Sequence, residues 1–127
     1  MRDYLMQCNL RLMKSLGTLL LALALLTACG GESVDPDVAR GGQLFTEHCT
    51  VCHSLSPEVV IVGPSLAGVA MRAAGESSKP REFLRQSILQ PQAVITEGFS
   101  DLMPPDFERK LSESDLEALL TYLLTLE

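Results

Sequence analysis

The pentapeptide Cys49-Thr50-Val51-Cys52-His53 constrains this chain more than any other feature of its sequence. The chain has 127 residues, which is enough for one domain and too few for a multidomain enzyme. Of its four cysteines, Cys8 and Cys29 belong to an apolar N-terminal segment and its end. The remaining two, Cys49 and Cys52, are those of the pentapeptide, so no further pair is left for a structural disulfide.

Three kinds of site contain two cysteines separated by two residues. A zinc site would need two more ligands, and the globular part offers only His48. A thioredoxin-like redox centre requires βαβ strands, for which the sequence shows no pattern. In c-type haem attachment the two thiols bond the vinyl groups of the porphyrin and the adjoining histidine becomes an axial iron ligand. The motif therefore predicts one covalent haem c, attached through Cys49 and Cys52 and ligated by His53.

The N-terminal segment is typical of an export signal. Residues 16–26 form an apolar run that follows two basic residues. At about 1.5 Å per residue, this run is too short to span a bilayer core of about 30 Å. The residues Leu26-Thr27-Ala28-Cys29 resemble the lipobox at which bacterial lipoprotein signals are cut. We predict a lipoprotein signal peptide over 1–28, and an acylated Cys29 that begins a short tether over 29–34.

Two alternatives remain for this end of the chain. One is ordinary cleavage after Ala28, which the large Leu26 disfavours, and the other is an uncleaved anchor. Translation starts at Met1 or at Met13, because Met13 opens a compact basic region by itself. The predicted location is the bacterial cell envelope, on the outer face of the cytoplasmic membrane or the periplasmic side, with the lipid of Cys29 in the bilayer.

The charge of the exported chain excludes some partners. Without Arg2, Asp3, Arg11 and Lys14 it keeps 7 basic and 15 acidic residues, a net charge of −8. An excess of this size repels phosphate backbones and anionic lipid headgroups. We therefore expect no nucleic-acid partner.

The pattern downstream of the tether is helical throughout, so we predict an all-α domain over 35–127. Asp35-Pro36 is a helix start, and the apolar spacing continues to about His48. A short helical stretch is expected from about Leu66, a further helix begins at Pro80, and the last one follows a capping signal at Ser112. The segment 90–110 shows little periodicity, and loops of that length in small domains are usually functional.

That irregular segment supplies the best candidate for a second axial ligand. Met103 lies 50 residues after His53, and Pro104-Pro105 stiffens the backbone beside it. The alternative is that Met103 fills a gap in the core, as we expect of Met71. For His48 we predict a solvated position at the helix end.

With these residues in view, the chain resembles class I cytochrome c over 35–127. Gly41 and Phe45 stand eight and four residues before Cys49. In the family this glycine lets the N- and C-terminal helices cross closely, and the resemblance places Leu119 and Tyr122 at that crossing. It implies a fold whose helices surround one covalent haem.

Two further elements resemble the ligand segments of the family. Gly63-Pro64-Ser65-Leu66 resembles the Gly-Pro-x-Leu element, so the Pro64 carbonyl is expected to accept the hydrogen bond of the ligand histidine. Met103-Pro104-Pro105 resembles the loop that carries the sixth ligand. Segments 88–91, 98–99 and 103–107 add a likeness to the cytochrome domain of subunit II in caa-type oxidases and to monohaem lipoprotein cytochromes, although the cupredoxin module of that subunit is missing.

The resemblance implies a membrane-anchored, one-electron carrier of a respiratory or photosynthetic chain rather than an enzyme. Its expected partner is a membrane-bound redox complex, either an oxidase or a quinol-oxidising complex such as alternative complex III. The alternative is a haem enzyme or gas sensor with a labile sixth ligand. No phosphate loop or nucleophile motif is present, and we predict that the basic cluster of Arg72, Lys79, Arg81 and Arg85 is a solvated face.

Overall fold

A computed structural model describes residues 34–127, so the predicted signal peptide and Cys29 lie outside the described residues. This part of the chain contains no strand, and the predicted all-α class is confirmed. Its α-helices are α1 (Pro36–His48), α2 (Val69–Glu76), α3 (Pro80–Leu89), α4 (Phe107–Lys110) and α5 (Glu113–Leu123), with a 3-10 helix at Pro91–Ala93. Within 34–127, no helix has the length and apolar character needed to cross a membrane.

Three helices, α1, α3 and α5, begin at the residues that the sequence indicated. The Asp35 carboxylate accepts a hydrogen bond of 2.8 Å from the Asp37 N–H, and the Ser112 hydroxyl accepts one of 3.1 Å from the Asp115 N–H. Gly68, with φ of +67°, delays the start of α2 to Val69, because residues in this left-handed conformation cannot continue a right-handed helix.

The segment that the sequence left without periodicity contains two short elements. The 3-10 helix and α4 span three and four residues, which is too short for an apolar period to show. Between them the chain stays irregular from Val94 to Asp106. The structure thus contains the predicted irregular segment, but over 94–106 rather than 90–110.

The contact between α1 and α5 organises the domain. A Cβ added to Gly41 would lie 2.1 Å from the Ala118 carbonyl oxygen and 2.5 Å from the Tyr122 Cβ. One turn further along α1, the rings of Phe45 and Tyr122 pack with their centroids 5.6 Å apart. The resemblance therefore placed Gly41 and Tyr122 correctly, since the helices approach until a side chain at Gly41 has no room.

The buried core is apolar throughout, and no polar side chain of the described residues is buried. Its centre consists of Leu44, Phe45, Leu119 and Leu120, each at most 2% exposed. The apolar stripe of α5 therefore serves both the helix crossing and the core beneath it.

Ion pairs hold α1 and α3 against the N-terminal half of α5. Arg40 contacts Asp115 at 2.7 Å, and Arg85 contacts Glu113 at 2.6 Å and Glu117 at 3.0 Å. The hydrogen bond from Arg85 holds the pKa of Glu113 below its usual range. The prediction of a solvated basic face was thus wrong for Arg81 and Arg85, which both form ion pairs with α5.

The close helix crossing predicts that replacing glycine by alanine has opposite effects on the free energy of unfolding at Gly41 and at Gly75. Gly41→Ala should lower the free energy of unfolding by about 1–3 kcal/mol, because the new methyl group overlaps the α5 backbone. Gly75→Ala, on α2 with no atom within 4 Å of the added Cβ, should raise it by about 0.5–1 kcal/mol through helix propensity. Denaturant titration of both haem-loaded variants tests this, and equal effects would contradict the close crossing.

Candidate functional site

A cavity of about 810 Å³ lies beside the core, within the usual range for cofactor pockets of about 300–1,000 Å³. Its walls include parts of α2, α3 and α5, the end of α1 and the irregular loop before α4. The lining contains every predicted haem residue of the domain, namely Cys49, Cys52, His53, Pro64 and Met103. The structure thus gathers around one cavity residues that are up to 54 positions apart in the chain.

The Cys-x-x-Cys-His motif forms a tight turn directly after α1. The Cys49 carbonyl accepts hydrogen bonds from the N–H groups of Cys52, at 3.0 Å, and His53, at 2.8 Å. Because the turn closes on Cys49, all three side chains of the motif reach the same cavity.

The Cys49 thiol is poorly suited to redox chemistry of its own. Burial raises its pKa to about 11, and the charge of a neighbouring Cys52 thiolate acts in the same direction. Redox-active Cys-x-x-Cys motifs instead contain a thiol of lowered pKa. This environment argues against the thioredoxin-like interpretation of the motif.

The zinc interpretation finds no support in the described part of the chain either. Within 34–127, no group of three or more His, Cys, Asp or Glu side chains is arranged to hold a metal ion. A structural zinc site usually needs four such ligands.

His53 is oriented by a backbone carbonyl. Its Nδ1 lies 2.8 Å from the Pro64 oxygen, so Nδ1 carries the proton and donates to that carbonyl. This tautomer leaves the Nε2 lone pair free for a metal. A Cβ on Gly63 would lie 2.5 Å from the His53 Cε1, so the missing side chain of Gly63 makes space for the ring.

One side chain and one backbone carbonyl brace the segment that holds His53, and sequence reasoning missed both roles. Arg72 donates to the carbonyl of Ala67 and, at 2.7 Å, to that of Ser65. The Ser54 carbonyl accepts the Leu66 N–H at 2.8 Å. No local signal marks Arg72, since its role depends on α2 folding back over the 65–67 turn.

Met103 lies on the loop between the 3-10 helix and α4. It is partly buried, packs against the apolar core and lines the cavity. The Gln92 side-chain amide donates to the Met103 carbonyl at 3.4 Å and to Asp101 at 3.3 Å, which ties the loop to the 3-10 helix. The loop is therefore positioned by one side chain and by the two prolines that follow Met103.

Two other candidates differ from their predicted surroundings. Met71 is 71% exposed and does not line the cavity, so the expectation that it packs in the core was wrong. The His48 side chain is 24% exposed and lies along the cavity, 3.7 Å from the Glu47 carboxylate. His48 lies at the helix end as predicted, but its side chain is only partly exposed, because the end of α1 forms part of the cavity wall.

Comparison with protein families agrees with this geometry. A family model described as cytochrome c matches residues 38–127. The chain belongs to the cytochrome c family. A search of curated proteins found no match.

As a cytochrome c, the protein binds haem c covalently and serves as a haem-based electron carrier. The residues of the cavity fit that group in their chemistry. Two thiols stand beside a histidine with a free Nε2, a thioether shares the cavity, and most of the lining is apolar.

Substitution of Gly63 tests directly how the His53 ring is held in place. Gly63→Ala should displace the imidazole, because the new methyl group would overlap its Cε1 atom. We expect shifted proton resonances of the His53 ring in NMR spectra of the holoprotein and a changed reduction potential. Gly75→Ala is the matched control, and unchanged spectra in Gly63→Ala would contradict the packing of Gly63 against His53.

Proposed function

We propose that this cytochrome c is a lipid-anchored monohaem protein that passes single electrons to a membrane-bound redox complex, with His53 and Met103 as axial ligands. The ligand assignment rests on one observation, namely that His53 and Met103 line the same cavity. When bound, haem supplies an iron that gains or loses one electron.

The chain's own residues determine the properties of that site. The Pro64 carbonyl keeps the proton on Nδ1 and raises the basicity of Nε2 as a ligand. A methionine ligand opposite histidine raises the reduction potential. Cys49 and Cys52 fix the group in place, so no exchange of the cofactor accompanies electron transfer.

Two protein ligands to the iron favour a carrier over an enzyme. If His53 and Met103 both held the haem iron, no position would remain for oxygen or peroxide, and the group would supply outer-sphere electron transfer. The alternative, a haem enzyme or gas sensor, requires that Met103 leave the iron.

The anchoring part of the proposal is supported by the sequence before Val34. Cys29 follows a lipobox-like tripeptide, and the five residues 30–34 reach at most about 17–18 Å when extended. Stable membrane attachment needs more than one acyl chain, which lipoprotein processing supplies. Such a tether keeps the domain beside the membrane, and the partner is accordingly an oxidase or a quinol-oxidising complex such as alternative complex III.

Replacement of Met103 tests the ligand assignment. Haem should remain on Met103→Ala in denaturing gels, because both thioether bonds persist. The variant should lose the weak far-red sulfur-to-iron absorption of the oxidised protein, and in the reduced state it should bind carbon monoxide at the opened position.

Met71→Ala is the matched control, since Met71 is exposed and lies outside the cavity lining. Its absorption should equal that of the wild type. Rapid carbon monoxide binding by the reduced wild type would instead support the gas-sensor or enzyme alternative.

Replacement of Cys29 tests the anchor. Cys29→Ala should move the protein from the membrane fraction to the soluble fraction while its haem absorption stays unchanged. Oxidation by native membranes should slow several-fold at equal total concentration, because the tether no longer raises the local concentration. An unchanged rate would exclude a resident subunit and indicate a freely diffusing carrier.

A further inference from the structure

The irregular segment 94–105, here named the ligand loop, carries the proposed sixth ligand and forms one side of the cavity. Two backbone hydrogen bonds close turns inside it, from the Phe99 N–H to the Thr96 carbonyl at 3.1 Å and from the Leu102 N–H to the Ser100 carbonyl at 2.9 Å. Both bonds shape the loop internally, and neither joins it to the rest of the domain.

Gln92 supplies the hydrogen bonds between the ligand loop and its surroundings. Its side-chain amide donates to the Asp101 Oδ1 at 3.3 Å and to the Met103 carbonyl at 3.4 Å. Among the described residues, no other residue outside the ligand loop is hydrogen-bonded to it. The Gln92 side chain therefore closes the neck of a compact surface loop, directly beside the residue that carries the thioether.

The two acceptors determine the orientation of the Gln92 amide. A carboxylate and a backbone carbonyl only accept hydrogen bonds, whereas the amide NH2 group has two hydrogens to donate. The nitrogen of Gln92 must therefore face the loop, with one hydrogen for each partner. An apolar side chain at this position would leave both acceptors without this donor, and a carboxylate would repel them.

The base of this contact is rigid. Pro91 is buried and lines the cavity, and the Ala93 N–H donates to the Gln90 carbonyl at 2.9 Å, so the backbone on both sides of Gln92 is fixed. Gln92 itself is exposed and does not line the cavity. Any effect of its substitution on the haem must therefore pass through the ligand loop.

We propose that Gln92 is a positioning residue for the sixth ligand, which holds the neck of the ligand loop and thereby keeps Met103 on the iron. This proposal rests on the ligand assignment above and names the residue that stabilises it. Gln92 acts on the fraction of molecules in which Met103 has left the iron. That fraction determines how tightly an external ligand binds, and so whether the protein behaves as a carrier or as a sensor.

Imidazole is a suitable probe, because it can bind the oxidised iron only where Met103 has left. The oxidised holoprotein is titrated with imidazole while the weak far-red sulfur-to-iron absorption is recorded. Gln92→Leu, which removes both donors at similar size, should bind imidazole about three- to tenfold more tightly than the wild type. Gln92→Glu should bind it more tightly still, because its carboxylate faces two acceptors.

Gln86 provides the matched control, since it is exposed on α3 and lies outside the cavity lining. Gln86→Leu and Gln86→Glu should each change the imidazole affinity less than about twofold. Adding Asp101→Asn to Gln92→Glu should weaken imidazole binding again relative to Gln92→Glu alone, because the charge repulsion at the neck is removed. A general loss of stability would not be reversed in this way.

The outcomes separate this proposal from the ligand assignment on which it rests. Equal imidazole affinities for the wild type and both Gln92 variants, with the sulfur-to-iron absorption present, would overturn the role of Gln92 and leave Met103 as the ligand. Equal changes in the Gln86 and Gln92 variants would overturn that role as well. Absence of the sulfur-to-iron absorption in the wild type would overturn the assignment of Met103, and this proposal with it.

Discussion

The close approach of α1 and α5 at Gly41 determines where everything else in the domain can lie. Because the Ala118 carbonyl occupies the space of a Gly41 side chain, Phe45 meets Tyr122 and the apolar stripe of α5 turns inward. That stripe continues to Leu119 and Leu123, which are both core residues and cavity lining. Helix α5 thus packs against α1 at the crossing and also forms part of the wall of the haem site. A substitution that disturbs the crossing therefore also disturbs the residues around the cofactor.

The end of α1 transmits this placement to the site. Cys49 caps the helix, and the turn that follows brings His53 back to the cavity within four residues. From there, hydrogen bonds lead from His53 to Pro64 and from Arg72 to the carbonyls on either side of Leu66. Each link is a backbone carbonyl with a defined donor, and this geometry explains how a segment without regular secondary structure orients the His53 ring.

Much of the fold and the site could be predicted from sequence, because the relevant signals are local. Asp35, Ser112 and the Cys-x-x-Cys-His spacing depend on residues a few positions apart, and the resemblance supplied Gly41, Pro64 and Met103. The errors have two different sources. Met71 is two positions from both Val69 and Ala73, the buried residues of α2, so it lies on the opposite face of that helix and is exposed. Arg85 reaches acids 28 and 32 residues away, which no local pattern marks.

The two sides of the cavity are supported unequally, and this inequality bears on the function. His53 is held by the Pro64 carbonyl, by the space at Gly63 and by a turn whose Cys52 carbonyl accepts the N–H groups of Val62 and Gly63. Met103 belongs to a loop that the Gln92 side chain contacts at Asp101, at 3.3 Å, and at the Met103 carbonyl, at 3.4 Å, and that two prolines stiffen. Under the proposed ligand assignment, any loss of a ligand would therefore begin at Met103. An electron carrier and a gas sensor would thus differ in the stability of the Met103 loop. The way in which His53 is held would be the same for both functions.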